Sequence, residues 1–302
     1  MTTVLMIYLV IINIITFFLY GADKLKAVHH KWRIPESALI LFSWIGGGTG
    51  ALTGMRVFHH KTRKWKFRII VPLSLIIWIL AVAFFMYTGN YYHAGEVAEH
   101  YIHSDAAVTV TEEKTGYLFD GPGTDDLIIF YPGAKVETEA YAPILHEVAE
   151  CGYDCFLVNM PFRLAFFGLN KAEDVMARHP DYVQFYMAGH SLGGAMAGNF
   201  TAEHLNEIRG VIFMAAYPTK TLEGSRALSL YGSQDGVLNM KHYQDSLSLM
   251  PDGFTDVIIE GGNHAQFGDY GEQKGDGEAT ISAEEQWGES VTAIMNFMEK
   301  SE

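Results

Sequence analysis

The order of apolar and polar positions divides the chain in two. From Val4 to Tyr20 almost every position is apolar, with Asn13 and Thr16 the exceptions, and Ile69 to Tyr87 is a second such run. Each is long enough to cross the hydrocarbon core of a bilayer as a slightly extended helix. Between them, Ala38 to Val57 is apolar but carries Gly46, Gly47, Gly48, Gly50 and Gly54. Such glycine density suits close helix packing, or a segment that enters a membrane and returns.

After Ala106 the period changes. Ala107–Thr111 and Gly116–Phe119 read as an opening antiparallel hairpin. Buried strands are expected at Leu127–Tyr131, Cys155–Asn159, Val183–Ala188, Gly210–Met214, Ala227–Tyr231 and Asp256–Glu260. Helices fall between them, at about Glu139–Glu150 and finally at Ala283–Lys300. Strands joined by helical crossovers predict a mostly parallel sheet with helices on both faces. The expected organisation is a transmembrane helical domain over 1–88, a linker over 89–104 and an α/β domain over 105–302. In the linker, His93, Glu96, His100 and His103 share one helical face by spacing, which reads as a solvated helix rather than a metal site.

Charge sharpens the division. Residues 1–88 hold ten Lys and Arg against two acids, a net +8, whereas the remainder carries −22 of the total −14. An acidic second half argues against nucleic acid as a partner. Both loops of the first half are basic: Lys24, Lys26, Lys31 and Arg33, then Arg56, Lys61, Arg63, Lys64, Lys66 and Arg68. Three full spans would place these loops on opposite sides and break the positive-inside rule once. A re-entrant glycine-rich segment would put both in the cytoplasm, and a spanning one would favour the six-charge loop there. Either way Ile69–Tyr87 runs outward, and the second domain is expected outside the cell membrane. The two cysteines, Cys151 and Cys155, read as small buried residues.

The chemistry is concentrated at strand ends. Gly189-His-Ser-Leu-Gly193 follows an apolar strand and precedes a small-residue helix. This is the setting of a G-x-S-x-G elbow, which lifts a serine clear of the sheet. Side chains at 189 or 193 would strike neighbouring backbone. The Leu192 N–H, at the new helix's start, is placed for an oxyanion. Asp235 follows the strand Ala227–Tyr231, and His264 follows Asp256–Glu260. Carboxyl ends of strands are where open α/β sheets place their sites. In this order Ser191 is the candidate nucleophile, His264 its base and Asp235 the group that orients His264. Asp269 is the weaker competing carboxylate, and His190 is expected to pack beside the elbow. Pro132-Gly-Ala-Lys135 offers a second oxyanion donor, the Ala134 N–H.

Two resemblances follow. Phe130-Tyr-Pro-Gly-Ala134, Asn159-Met-Pro161, Gly189-His-Ser-Leu-Gly-Gly194 and Gly262-Asn-His-Ala-Gln-Phe-Gly-Asp-Tyr270 resemble the α/β-hydrolase superfamily, closest to its esterase/lipase and dienelactone-hydrolase branch, over about residues 106–302. The resemblance implies the α/β-hydrolase fold and serine acyl hydrolysis without cofactor, and no metal-binding residue is expected. Typical dienelactone hydrolases carry Cys at the nucleophile, and Ser191 points away from dienelactone as substrate. Tyr20-Gly-Ala-Asp-Lys24, Arg33-Ile-Pro-Glu36, Gly46-Gly-Gly-Thr-Gly50 and Gly54-Met-Arg-Val-Phe-His-His-Lys-Thr62 resemble a small bacterial membrane domain of uncharacterised function.

Phe162, Leu164, Phe166 and Phe167 should overhang the site and could line an acyl pocket or pack the next helix. The expectation is a membrane-anchored serine hydrolase cleaving a small or lipid-like carboxylic ester, with membrane lipids as its other partner. Amide or thioester cleavage uses the same residues. A different class of function, transport or lipid binding by the membrane half with a passive second domain, is the alternative.

Overall fold

The computed structural model describes residues 2–123 and 125–299. It divides into two compact units, Met1–Asn90 and Tyr91–Glu302.

In the first unit, helix α1 (Thr2–Val28) and helix α4 (Trp65–Gly89) are long and apolar enough to cross a membrane. The glycine-rich segment between them has that length too, but it is folded back. Helix α2 (Glu36–Phe42) meets helix α3 (Gly48–Val57) across a break at Ser43–Gly47, where Gly46 takes φ 108°. Its contacts with α1 show the reversal. Ser43 lies against Tyr20, Gly46 reaches Asn13, and the chain then returns past Tyr20 at Gly54 to Asp23 at His60.

Apolar surroundings cannot satisfy the backbone groups freed by the break, so side chains do. Asn13 donates to Gly46 O at 2.8 Å and accepts from Gly50 N at 2.7 Å. Tyr8 and Trp78 donate to Ile45 O and Trp44 O. Asn13 is thus the pin of the reversal. The glycines are there for close approach: a Cβ on Gly50 would lie 2.0 Å from Asn13 O.

Both basic loops therefore sit at one end of this unit. Buried Asp23 holds them together, bonding Arg33 at 2.8 Å, His60 at 2.7 Å and Ile34 N at 3.0 Å. Glu36 pairs with Lys61 and Lys64. Helix α4 starts at this end, where Phe67 meets Tyr20, and runs past the tip of the reversal at Trp78 to Gly89.

The second unit is an eight-stranded sheet in the order β1-β2-β4-β3-β5-β6-β7-β8. The strands are β1 Thr109–Glu113, β2 Gly116–Asp120, β3 Asp126–Tyr131, β4 Asp154–Val158, β5 Gln184–His190, β6 Ile208–Met214, β7 Arg226–Gly232 and β8 Thr255–Ile259. β1 and β2 pair antiparallel, β2 runs antiparallel to β4, and the rest is parallel. The central strands are buried on both faces, which is why they read as unbroken apolar runs. Helices α5 (Glu96–Tyr101), α6 (Ala142–Glu150) and α10 (Ala283–Glu299) serve one apolar layer. Helices α7 (Lys171–Arg178) and α8 (Leu192–Glu203) serve the other, and α9 (Met240–Ser246) lies over β7. This is the α/β-hydrolase fold. Lys300, the expected end of the last helix, lies outside the described residues.

The stretch expected to link the units departs from that reading. From Tyr91 onward it belongs to the second unit. Tyr92 exchanges backbone hydrogen bonds with Lys135 and Glu137, and α5 packs on α6. Asp269 accepts the Ala98 N–H at 2.8 Å and its own carbonyl accepts Gly95 N–H. These partners are distant in sequence, so local spacing could not announce them. The expectation for the cysteines also changes: Cys155 is buried in β4, but Cys151 is exposed at the end of α6.

Candidate active site

The elbow has the geometry its glycines require. Ser191 sits at φ 52°, ψ −122°, a conformation that side-chain-bearing residues adopt only where the surroundings impose it. A Cβ on Gly189 would lie 2.6 Å from Gly193 C, and one on Gly193 would lie 2.0 Å from Tyr131 O. Gly194 is equally confined: a Cβ there would lie 2.5 Å from the Ala216 Cβ. Ser191 N donates to Met214 O at 2.9 Å, which fastens the turn to β6. Helix α8 starts at Leu192, whose N–H belongs to the first turn and has no intrahelical acceptor.

Asp235 and His264 come together although 29 residues separate them. His264 Nδ1 lies 2.9 Å from Asp235 Oδ2, and both side chains are 1% exposed. The other oxygen, Oδ1, accepts Val237 N–H at 2.8 Å and Leu238 N–H at 2.7 Å, so the carboxylate cannot rotate freely. His264 Nε2 is buried without a hydrogen-bond partner among the described residues, and Ser191 and His264 are not hydrogen-bonded to each other here. A base and its nucleophile often close that last gap only on substrate. Asp269, the competing carboxylate, is committed to Ala98 N–H on α5.

A residue that the sequence alone did not single out joins the two loops. Asp276 accepts four backbone N–H groups: Gly236 at 3.0 Å, Gly277 at 2.8 Å, His264 at 3.3 Å and Ala265 at 2.8 Å. It thereby ties the loop of Asp235 to the loop of His264. The two turns press together so closely that a Cβ on Gly277 would lie 1.9 Å from Gln234 O. On the far side Gln286 exchanges two hydrogen bonds with the Asn263 backbone. In sequence Asp276-Gly277 looks like any turn dipeptide, and only its neighbours reveal its use.

His190 packs beside the elbow. Its ring lies 4.5 Å from that of His264, centroid to centroid. Tyr141 Oη accepts the Gly133 N–H at 3.0 Å and meets His190 Nδ1 at 2.8 Å. Burial drives the His190 pKa well below the usual imidazole value, and the neighbouring His264 pushes the same way. Burial also raises Tyr141 above the ordinary phenol range. Gly133 is needed for this contact, since a Cβ there would lie 2.7 Å from Tyr141 Oη. Ala134, next along, is half-buried in a turn on the same side of the sheet.

The aromatic segment after β4 splits. Leu164 is buried, whereas Phe162, Phe166 and Phe167 are 46%, 50% and 46% exposed. Phe162 borders a cavity of about 260 Å³ with Glu137, Thr138, Glu139, Asn159, Met160 and Arg163. A larger hollow, of about 610 Å³, lies at Thr255 and Val257 beside α10, near the start of β8 rather than at the strand ends that carry Ser191 and His264.

Residues 13–67 match a family described as a protein of unknown function (DUF1294). The uncharacterized protein YsdA of Bacillus subtilis (strain 168) is 44% identical over 78 residues, covering 26% of this chain and 88% of YsdA. Among solved structures, Est1E from Butyrivibrio proteoclasticus is 15% identical, with a TM-score of 0.47 over 65% of this chain and 98% of that one. Dienelactone hydrolase from Anabaena variabilis ATCC 29413 is 16% identical, with a TM-score of 0.45 over 64% and 97%. Residues 127–288, more than half of the chain, match the alpha/beta hydrolase family, and the chain belongs to that family.

Proposed function

We propose that this protein is a membrane-anchored serine hydrolase that cleaves a carboxylic ester through an acyl-enzyme. The observation that carries the reading is the buried 2.9 Å pair of His264 Nδ1 and Asp235 Oδ2, following strands of the same parallel sheet whose β5 ends at a serine held at φ 52°. Ser191 Oγ attacks the ester carbonyl while His264 Nε2 takes its proton. Negative charge develops on the carbonyl oxygen, and the N–H groups of Leu192 and Ala134 receive it. Asp235 holds the tautomer that leaves Nε2 free to accept, and it stabilises the imidazolium. His264 then returns the proton to the departing alcohol. A water activated by the same His264 releases the acid. His190, kept neutral by burial, adds no positive charge beside that imidazolium.

The membrane unit supplies anchoring and side. With both basic loops at one end, the positive-inside rule is satisfied without conflict. α4 begins at that end and finishes at the other, so the hydrolase unit that follows is extracytoplasmic in this reading. The activity is tested by hydrolysis of p-nitrophenyl butyrate with the purified full chain. Ser191→Ala is expected to lower the rate by a factor on the order of 10³ or more. Activity kept within about tenfold in the folded variant would reject the assignment.

A further inference from the structure

The backbone amides of the loop after β3 are not used alike. Gly133 N–H donates to Tyr141 Oη at 3.0 Å, and Lys135 N–H donates to Arg163 O at 2.9 Å. Ala134 N–H, between them, has no acceptor among the described residues. The loop is also pinned from behind. Tyr92 N–H donates to Lys135 O and Glu137 N–H donates to Tyr92 O, both at 2.8 Å. A backbone N–H held between anchored neighbours and left unpaired suits a preorganised oxyanion donor. Leu192 N–H, in the first turn of α8, is the matching group on the elbow.

These two amides come from different elements, so some contact must fix the distance between them. Tyr141 makes it. Its side chain is fully buried, so it acts on the site only through its neighbours. Its ring is held by Phe130, His190 and Tyr270, at centroid distances of 5.0, 5.6 and 6.4 Å. Its oxygen lies 3.0 Å from the nitrogen of Gly133, the residue before Ala134. The same oxygen lies 2.8 Å from Nδ1 of His190, the residue before Ser191. One atom thus touches both halves of the candidate oxyanion hole. The fit has no slack: a Cβ on Gly133 would lie 2.7 Å from Tyr141 Oη and 2.8 Å from His190 Nδ1. On the elbow side, Ser191 N–H is fastened to Met214 O at 2.9 Å.

We infer that Tyr141 is a positioning residue for the oxyanion hole, its hydroxyl setting the separation of the Ala134 and Leu192 amides that receive the carbonyl oxygen. The inference rests on the serine-hydrolase reading above. It assigns Tyr141 to the hole rather than to the base. Its hydrogen bonds lead to the oxyanion loop and the elbow, whereas its link to His264 passes only through the ring contact between His190 and His264 at 4.5 Å.

Tyr141→Phe removes the oxygen and keeps the ring. With the purified full chain and p-nitrophenyl butyrate, kcat should fall by about ten- to a hundredfold, less than for a deleted oxyanion donor because the amides shift rather than vanish. KM should stay within about threefold. The inhibition constant of a trifluoromethyl ketone, whose adduct with the nucleophile carries an oxyanion, should rise by the factor by which kcat/KM falls. The acid limb of the pH profile of kcat/KM should not move. Tyr182→Phe is the control: it removes a phenol hydrogen bond to Asp154 at the amino ends of the strands, and should lower Tm while leaving kcat unchanged.

A folded Tyr141→Phe with kcat within about twofold of the unaltered protein overturns the inference. A fall in kcat with unchanged inhibitor binding, or with a shifted acid limb, overturns it by assigning Tyr141 to His264. An equal fall in Tyr182→Phe overturns it by showing that loosening anywhere suffices. Should Tyr141→Phe not fold, Gly133→Ala, whose Cβ crowds the same oxygen, is read by the same criteria. Absence of ester hydrolysis by the unaltered chain would instead overturn the serine-hydrolase reading, and this inference with it.

Discussion

Asp276→Asn isolates the part of the site that binds no substrate. The exchange keeps size and one acceptor oxygen. Oδ1 serves Gly236, Gly277 and His264, and an amide oxygen can occupy its place. Oδ2 accepts Ala265 N–H at 2.8 Å, and the amide NH2 would then face a donor. One charge-assisted hydrogen bond is lost outright, about 1.5–3 kcal/mol, and three become neutral ones. The unit is held by a large core, so the variant should fold, with a Tm lower by roughly 3–12 °C. The loop released is the one that aims His264. If the loss appears as a smaller population of correctly placed imidazole, kcat falls by about ten- to a hundredfold, since 1.4 kcal/mol is tenfold. KM should barely move, because Asp276 touches backbone only. Circular dichroism melting and steady-state kinetics on p-nitrophenyl butyrate measure both quantities. A variant with lowered Tm but kcat within about twofold of the unaltered protein would refute the positioning argument.

Three further outcomes follow from the same geometry. Asp235→Asn should cost far more activity than Asp269→Asn, which should mainly loosen α5 and raise its hydrogen exchange; the reverse order in kinetics would show that the wrong carboxylate was chosen. His190 binds its proton more weakly when folded than when unfolded, so the unfolded chain holds more protons as pH drops below the ordinary imidazole value near 6.5. Stability therefore falls with pH in that window, and His190→Gln should remove up to about 1.4 kcal/mol per pH unit of the slope in urea melts; an unchanged slope would contradict neutral burial. Replacing Arg63, Lys64, Lys66 and Arg68 by Gln should scramble orientation, read by alkaline phosphatase fused after Glu302; bright cytoplasmic GFP at that position in the unaltered chain would overturn the assigned side.

The elbow was legible in the sequence because its constraint is steric and local. Gly189 and Gly193 are where any Cβ meets backbone, and such positions announce themselves within five residues. Asp235 and His264 were legible because parallel strands deliver their successors to one edge, so order and strand ends suffice. The strands themselves were readable as apolar runs. What could not be read depends on side chains meeting across long separations. Asp276 collects donors from two loops, Tyr141 joins Gly133 to His190, and Asp269 caps a helix 171 residues away. The reversal at Ser43–Gly47 lay between the two: its glycines left spanning and re-entry both open. Asn13, which appeared only as a polar exception in an apolar run, is the residue that bonds across the break.

The central claim is that Ser191 is the atom-bearing nucleophile, activated by His264. The direct measurement is mass spectrometry of the full chain after reaction with a fluorophosphonate, with peptide mapping of the adduct. The account predicts one adduct, on Ser191, lost in Ser191→Ala and slowed by about 10³-fold or more in His264→Ala, since the two act as a unit. An adduct on another residue, or labelling of Ser191 at an undiminished rate without His264, would contradict it.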